Sequence, residues 1–242
     1  MPIFRIMIDA IGHRGASAYE PENTLRSFER AITMGATSIE LDVQISLDNE
    51  IIVIHDSTVD RTTNGKGRVS SKTMEELKEL DAGKGERIPA LKEVIDMAYG
   101  RAYIQIEIKD IRAEDPVVNM LRGYSLSEFF LISFWHSTLL NAKRKLPGLK
   151  TGVLLEGLPA DPLSLVRSAD ADRLAISQHT IDKNAVDVLH ANGKSVSVWV
   201  ADEISDIKRA ISLGVDAIAS NKPDVLVDTI RKSGAELPEH VK

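Results

Sequence analysis

Short β-branched and apolar runs alternate with longer amphipathic segments along almost the whole chain, and this alternation restricts the fold more than any single motif. The runs cover residues 6–11, 37–43, 51–55, 103–108, 130–134, 151–155, 174–177, 195–200 and 216–219. Several are apolar throughout or nearly so, as strands covered on both faces are. The segments between them carry helix punctuation. Pro21-Glu22-Asn23-Thr24 opens a helix that ends near Gly35, and Pro89 precedes one that ends near Gly100. Others start at about Pro116, Ser137, Pro162, Asp182, Glu203 and Pro223, several stopping at Gly123, Gly193, Gly214 or Gly234. Proline or a capping side chain at the start, with glycine just past the end, is the expected asymmetry.

Nine strands are one too many for an eight-fold barrel, and the surplus has a location. Only Ser46-Leu47-Asp48-Asn49-Glu50 separates the second run from the third. Parallel strands need a crossover of a dozen or more residues, so this pair must be an antiparallel hairpin. A two-residue turn at Asp48-Asn49 sets Leu47 against Glu50 and Asp42 against His55. With the hairpin strand set aside, eight βα units remain. The expected fold is therefore α/β: a (β/α)8 TIM-type barrel over 1–242 with one extra hairpin strand. Pattern alone leaves a doubly wound open sheet as the alternative. Residues 56–88 break the alternation, being polar and turn-rich with one short helical piece near 73–80. Such a capping insertion belongs over the C-terminal rim, where substrate-contacting loops sit.

Composition narrows the function classes. With 30 Lys+Arg against 36 Asp+Glu, the net charge of −6 argues against a nucleic-acid partner held by bulk phosphate neutralisation. Cysteine is absent, which removes disulfides, thiolate metal sites and a thiol nucleophile. No segment approaches the roughly 18–20 apolar residues of a membrane span, so no stable membrane insertion is expected. The apolar N-terminal stretch carries Arg5 and Asp9 and lacks a small-residue cleavage site, which argues against a signal peptide. The expectation is a cytoplasmic protein; monomer and homodimer are both left open.

Barrel chemistry uses side chains at the C-terminal ends of strands. That rule collects His13, Arg14, Glu40, Asp42, His55, Glu107, Lys109, Trp199 and Asp202. Glu40 and Asp42 are two apart and share a strand face, as do Glu107 and Lys109. A lone Glu-x-Asp is usually just a solvated alternating face. Here the intervening residues are Ile39, Leu41 and Val43, and Glu107 lies within Ile104-Gln105-Ile106-Glu107-Ile108. Carboxylates embedded in apolar strands are costly unless they are paired. Three of them converging on one mouth call for a cation, and Mg²⁺ or Ca²⁺ is the simplest answer. Two histidines and an arginine alongside suggest acid–base chemistry at a phosphoryl centre. His136, His179, His190 and His240 read as structural or exposed, and Trp199 taken alone reads as core.

These residues also carry a resemblance. His13-Arg14-Gly15, Pro21-Glu22-Asn23-Thr24, Glu40-Leu41-Asp42-Val43, His55-Asp56, Asp60-Arg61-Thr62-Thr63-x-Gly65-x-Gly67, Glu107-Ile108-Lys109, Trp199 and Gly214-Val215-Asp216 occur in that order. The set resembles the glycerophosphodiester phosphodiesterase family of phospholipase-C-like barrels. The resemblance implies metal-dependent hydrolysis of a small glycerophosphodiester to sn-glycerol 3-phosphate and an alcohol. It implies Glu40, Asp42 and Glu107 as ligands of one divalent ion, and His13 and His55 as general acid and base. It also implies Arg14 at the phosphate, Lys109 as a charge partner, and Trp199 and Phe134 as apolar walls near the glycerol. The chain departs from the family's pattern at Trp199-Val200-Ala201-Asp202 and at Ser220-Asn221-Lys222-Pro223. Two other reactions remain on the list: a phosphodiesterase acting on lysophospholipids, and a metal-free barrel lyase using Lys109 as a Schiff-base amine.

Overall fold

The computed structural model describes residues 7–239. Among them the nine strands are β1 (Asp9–His13), β2 (Ser38–Ile45), β3 (Ile51–Val53), β4 (Tyr103–Ile108), β5 (Phe129–Ser133), β6 (Lys150–Leu155), β7 (Arg173–Ser177), β8 (Ser195–Trp199) and β9 (Ala217–Ser220). Eight of them run parallel in the order β1-β9-β8-β7-β6-β5-β4-β2, and pairing of β1 with β2 closes the ring. The chain is thus a (β/α)8 barrel, and β3 is the extra strand, antiparallel to β2. The doubly wound alternative fails on that closure.

Helices α1 (Leu25–Thr33), α2 (Met74–Lys78), α3 (Leu91–Ala98), α4 (Glu114–Leu121), α5 (His136–Lys145), α6 (Pro162–Ser168), α7 (Lys183–Ala191), α8 (Ile204–Leu213) and α9 (Pro223–Ser233) follow the predicted punctuation. Thr24 caps α1, its hydroxyl accepting from Ser27 N–H at 3.2 Å, while Phe28 and Ala31 are buried. Gly12 lets α1 approach the barrel closely, since a Cβ there would lie 2.8 Å from Ala31 Cβ. Pro116 stands in the first turn of α4 rather than ahead of it, a position where its missing N–H costs nothing. The main core is the apolar layer between the barrel and its helices. Among the described residues no helix is long and apolar enough to cross a membrane.

Most strand ends lie within two residues of the expectation, and two features differ in a way that bears on the site. The first strand starts at Asp9 and runs on to His13, because Asp9–Gly12 pair with β9 and Ile11–His13 with β2. Part of the predicted run, at Ile6, lies outside the described residues, as does His240. The hairpin register is off by one. Val43 pairs with Val53 and Ile45 with Ile51, so the turn holds three residues and Asp42 faces Ile54, not His55. Asn49 explains the slip, adopting the left-handed φ of +64° that closes a three-residue turn.

Residues 56–88 gather around an apolar cluster of their own. Val59, Val69, Leu77, Ala82 and Ile88 pack with Ile52 of β3 and Ile54 just beyond it. A capping box at Thr73 and Glu76 starts α2. This segment stands beside β3, at the His55 side of the barrel mouth.

Candidate active site

The turn after β1 is the first part of the site. Arg14 and Gly15 both have positive φ, +54° and +83°, and a Cβ on Gly15 would sit 2.5 Å from the Ser27 carbonyl carbon. Only glycine fits there. The tight turn points the Arg14 backbone N–H at Glu40 Oε2, 2.9 Å away, and sets the guanidinium Nε 3.3 Å from Asp42 Oδ2. Arg14 Nη1 also donates to Glu22 Oε1 at 2.9 Å.

β2 and β4 are neighbours, and their register pairs Asp42 with Glu107. Glu40, Asp42 and Glu107 are all buried, and each offers an oxygen within 4.8 Å of the others. Asp42 Oδ1 and Glu107 Oε1 have no hydrogen bond, although Lys109 Nζ stands 3.3 Å from the first and 2.5 Å from the second. The electrostatics follow from crowding like charges out of water. Burial, then the Asp42 charge, pushes Glu107 up to about 7. Burial and the two neighbouring carboxylates push Glu40 well above the usual range. Asp42 goes the other way, because Lys109 and Arg14 outweigh the effect of its burial. Hard oxygen donors, two of them lacking hydrogen bonds and all within 4.8 Å of one another, would suit a divalent ion.

The two histidines flank this trio with different partners. His13 Nε2 is 4.0 Å from Glu40 Oε2, and its Nδ1 is 2.7 Å from Asn221 Oδ1. Burial first, and then Arg14, lower its pKa. His55 Nδ1 is 2.7 Å from Asp56 Oδ1. Asp56 is tied to Arg61, which also grips Glu22 through two hydrogen bonds of 2.7 and 2.8 Å. A polar chain thus runs His55–Asp56–Arg61–Glu22–Arg14, with Arg61 coming from the 56–88 segment.

The mouth opens into a cavity of about 150 Å³ that reaches down the barrel axis. His13, Arg14, Glu40, His55, Glu107, Lys109, Phe134 and Trp199 line it, joined by Ile132, Leu154 and Ala175 deeper in. None of its lining residues comes from 56–88. Phe134 and Trp199 meet edge to face at 5.9 Å, and Lys109 lies 5.8 Å from the Phe134 ring centre. The nine side chains to which the resemblance gives a role gather here, Asp42 beneath the others as the partner of Arg14 and Lys109. His136 and His190 serve elsewhere, against the Leu154 carbonyl and Asp216.

Sequence reasoning assigned no role to Asn23, Glu22, Asp56, Arg61 or Asn221. Asn23 is buried, with φ of +57°, and donates to Asp42 Oδ2 at 2.8 Å. Its signal was an asparagine directly before the helix-capping Thr24, a place suited to left-handed backbone.

Comparison with known proteins gives the family and the fold. The profile of the glycerophosphoryl diester phosphodiesterase family matches residues 13–225. A glycerophosphodiester phosphodiesterase of Caldanaerobacter subterraneus subsp. tengcongensis is 38% identical over 238 residues, covering 93% of this chain and 98% of its own. One from Bacillus altitudinis is 32% identical, covering 90% and 96%. Among solved structures, an Oleispira antarctica phosphodiesterase in complex with the product sn-glycerol-3-phosphate superposes with a TM-score of 0.87. It has 28% identity and covers 94% of this chain and 98% of its own. The Thermotoga maritima glycerophosphodiester phosphodiesterase gives a TM-score of 0.80 at 28% identity, covering 91% and 97%.

Proposed function

The chain belongs to the glycerophosphodiester phosphodiesterase family, and from that premise we propose that it hydrolyses glycerophosphodiesters to sn-glycerol 3-phosphate and an alcohol by metal-assisted acid–base catalysis. The observation that carries this reading is the buried trio Glu40, Asp42 and Glu107, flanked by His13 and His55. The trio would hold one divalent ion, Mg²⁺ or Ca²⁺. When bound, such an ion supplies charge neutralisation at the phosphate and lowers the pKa of a coordinated hydroxyl or water.

The protein's own groups do the rest. Arg14 and Lys109 meet the phosphate with positive charge and offset its repulsion by the carboxylates. One histidine takes the proton of the glycerol 2-hydroxyl as its oxygen attacks phosphorus. The other protonates the leaving alcohol as its P–O bond breaks, leaving a cyclic phosphate. Water then opens the ring with the two roles exchanged, and each histidine returns to its starting state. Phe134 and Trp199 shield the glycerol side from water. The 56–88 segment, through Arg61, supports His55 from outside the barrel and shoulders the mouth.

A second substrate class is favoured by exposed aromatic surface at the mouth. Phe134 is 41% and Trp135 55% exposed, which suits an acyl chain as well as a small head group. The lyase reading finds no such support, because the Lys109 ammonium stands between two carboxylates rather than free as an amine.

The test is release of glycerol 3-phosphate from glycerophosphocholine and glycerophosphoethanolamine, in EDTA and then with Mg²⁺, Ca²⁺ or Mn²⁺ restored. Metal-restored release is the expected result. Release that ignores EDTA overturns the metal role. Turnover of lysophospholipids alone shifts the reading to the second substrate class.

A further inference from the structure

The loops after β8 and β9 build a device behind His13 that the proposed reaction has not yet used. Asp202 accepts two hydrogen bonds of 2.7 Å from one residue, the Asn221 backbone N–H on Oδ1 and the Asn221 Nδ2 on Oδ2. Ser220 Oγ donates to Asp202 Oδ1 as well, at 2.8 Å. A carboxylate only accepts, so the Asn221 amide nitrogen must face Asp202 and its oxygen must face the other way. That oxygen is 2.7 Å from His13 Nδ1 and takes a further hydrogen bond of 2.7 Å from Ser17 Oγ. An amide oxygen also only accepts, so the proton of the neutral ring sits on Nδ1. Nε2 is then bare and faces the carboxylate trio and the cavity.

We propose that Asp202, acting through Asn221, is a positioning residue that holds His13 in the Nδ1-protonated tautomer and presents Nε2 as the proton acceptor. The inference rests on the reading of His13 as a residue that carries protons in the reaction. It gives the acidic group a place one residue removed from the imidazole, so that orientation is transmitted without a negative charge against the ring.

The experiment uses ¹⁵N-histidine-labelled full chain with the divalent ion present, the His13 signals being assigned by their loss in H13Q. The wild-type ring is expected to show a protonated Nδ1. In D202N the Asn221 amide is released, the ring moves measurably toward the other tautomer, and kcat falls about 10–100-fold with KM within about two-fold. In D202N/N221D the pair is reversed. The amide now at position 202 then holds the backbone and carboxylate of position 221, that carboxylate accepts from His13 Nδ1, and at least ten-fold of the lost kcat is expected to return, on the order of the loss itself. Should D202N alone fail to fold, the folded double variant carries the test against wild type, with kcat expected within about ten-fold and a ring protonated on Nε2 overturning the proposal. A wild-type ring protonated on Nε2, or D202N with unchanged ring signals and kcat, overturns the proposal, as does a folded double variant no faster than D202N. The ring signals need no turnover. A wild-type chain that releases no glycerol 3-phosphate therefore defeats the phosphodiester reading separately from the tautomer.

Discussion

Lys109 Nζ lies 2.5 Å from Glu107 Oε1, two residues back along the same strand direction, and shares itself with Asp42 Oδ1 at 3.3 Å. The ammonium and the Arg14 guanidinium together bring two positive charges to three buried carboxylates. With all three ionised that falls one short of neutrality, and the upward shifts of Glu40 and Glu107 express the cost of burying the unbalanced charge. Chelation is therefore expected to abolish turnover, and a restored divalent ion to raise Tm. At an ion concentration 100-fold above Kd the gain is about 2.7 kcal/mol. D42N should lose both the turnover and the ion-dependent rise in Tm, measured by product release and by thermal melts with and without ion.

His13→Ala and His55→Ala are each expected to lower kcat by about 10²–10⁴-fold, the usual worth of general acid–base help. Neither side chain belongs to the carboxylate trio, so calorimetric titration should still detect ion binding in both variants. Near-normal turnover in either one removes that histidine from the reaction.

Gly15→Ala should destabilise the chain by about 1–3 kcal/mol, the cost of a side chain forced into strained backbone. The added Cβ would meet the Ser27 oxygen at 2.7 Å as well as its carbonyl carbon. Arg14 turns on the same bend, so kcat/KM should fall together with the denaturant midpoint. A variant as stable as wild type would show that the turn relaxes freely.

Asp172 provides a pH test away from the site. Burial raises its pKa, but the Lys143 ammonium, the Thr151 backbone N–H and Lys150 outweigh it, and the net shift is downward. A carboxyl with a depressed folded-state pKa contributes stability that is full above its unfolded pKa, about 3.9, and is lost as pH falls through the folded value. The group is partly exposed, so the contribution is about 1 kcal/mol or less after screening. Denaturation curves of Asp172→Asn and wild type should therefore differ at pH 6, and the difference should shrink as pH falls below about 3.9.

The strands were legible because β-branched runs and Gly or Pro boundaries repeat at a spacing only a wound α/β fold produces. The metal candidates were legible because Glu40, Asp42 and Glu107 interrupt apolar strands. The hairpin register was not, since Asp48-Asn49 suits a two- or three-residue turn equally and only the φ of Asn49 decides. Asn221 was marked only as part of a departure from the family's pattern, and its role stayed hidden for another reason. It meets His13 across 208 residues of sequence, and closure of β1 against β9 is what brings them together. Polar residues in rim loops carry no periodicity to mark them.

The strand that delivers His55 belongs to no part of the closed ring. β3 pairs with β2 outside the ring; its Ile51 and Val53 pack in the main core, whereas Ile52 and Ile54 just beyond it pack with the 56–88 segment. The eight-stranded ring keeps His13, the carboxylates and the cavity together by its own closure, whereas Asp56 and Arg61, which hold His55, stand on a segment with a smaller cluster of its own. Opening of that cluster is expected to loosen the hold on His55, the second histidine of the proposed reaction, while the pairing of the ring stays closed. Activity is therefore expected to fail under milder disturbance than folding does.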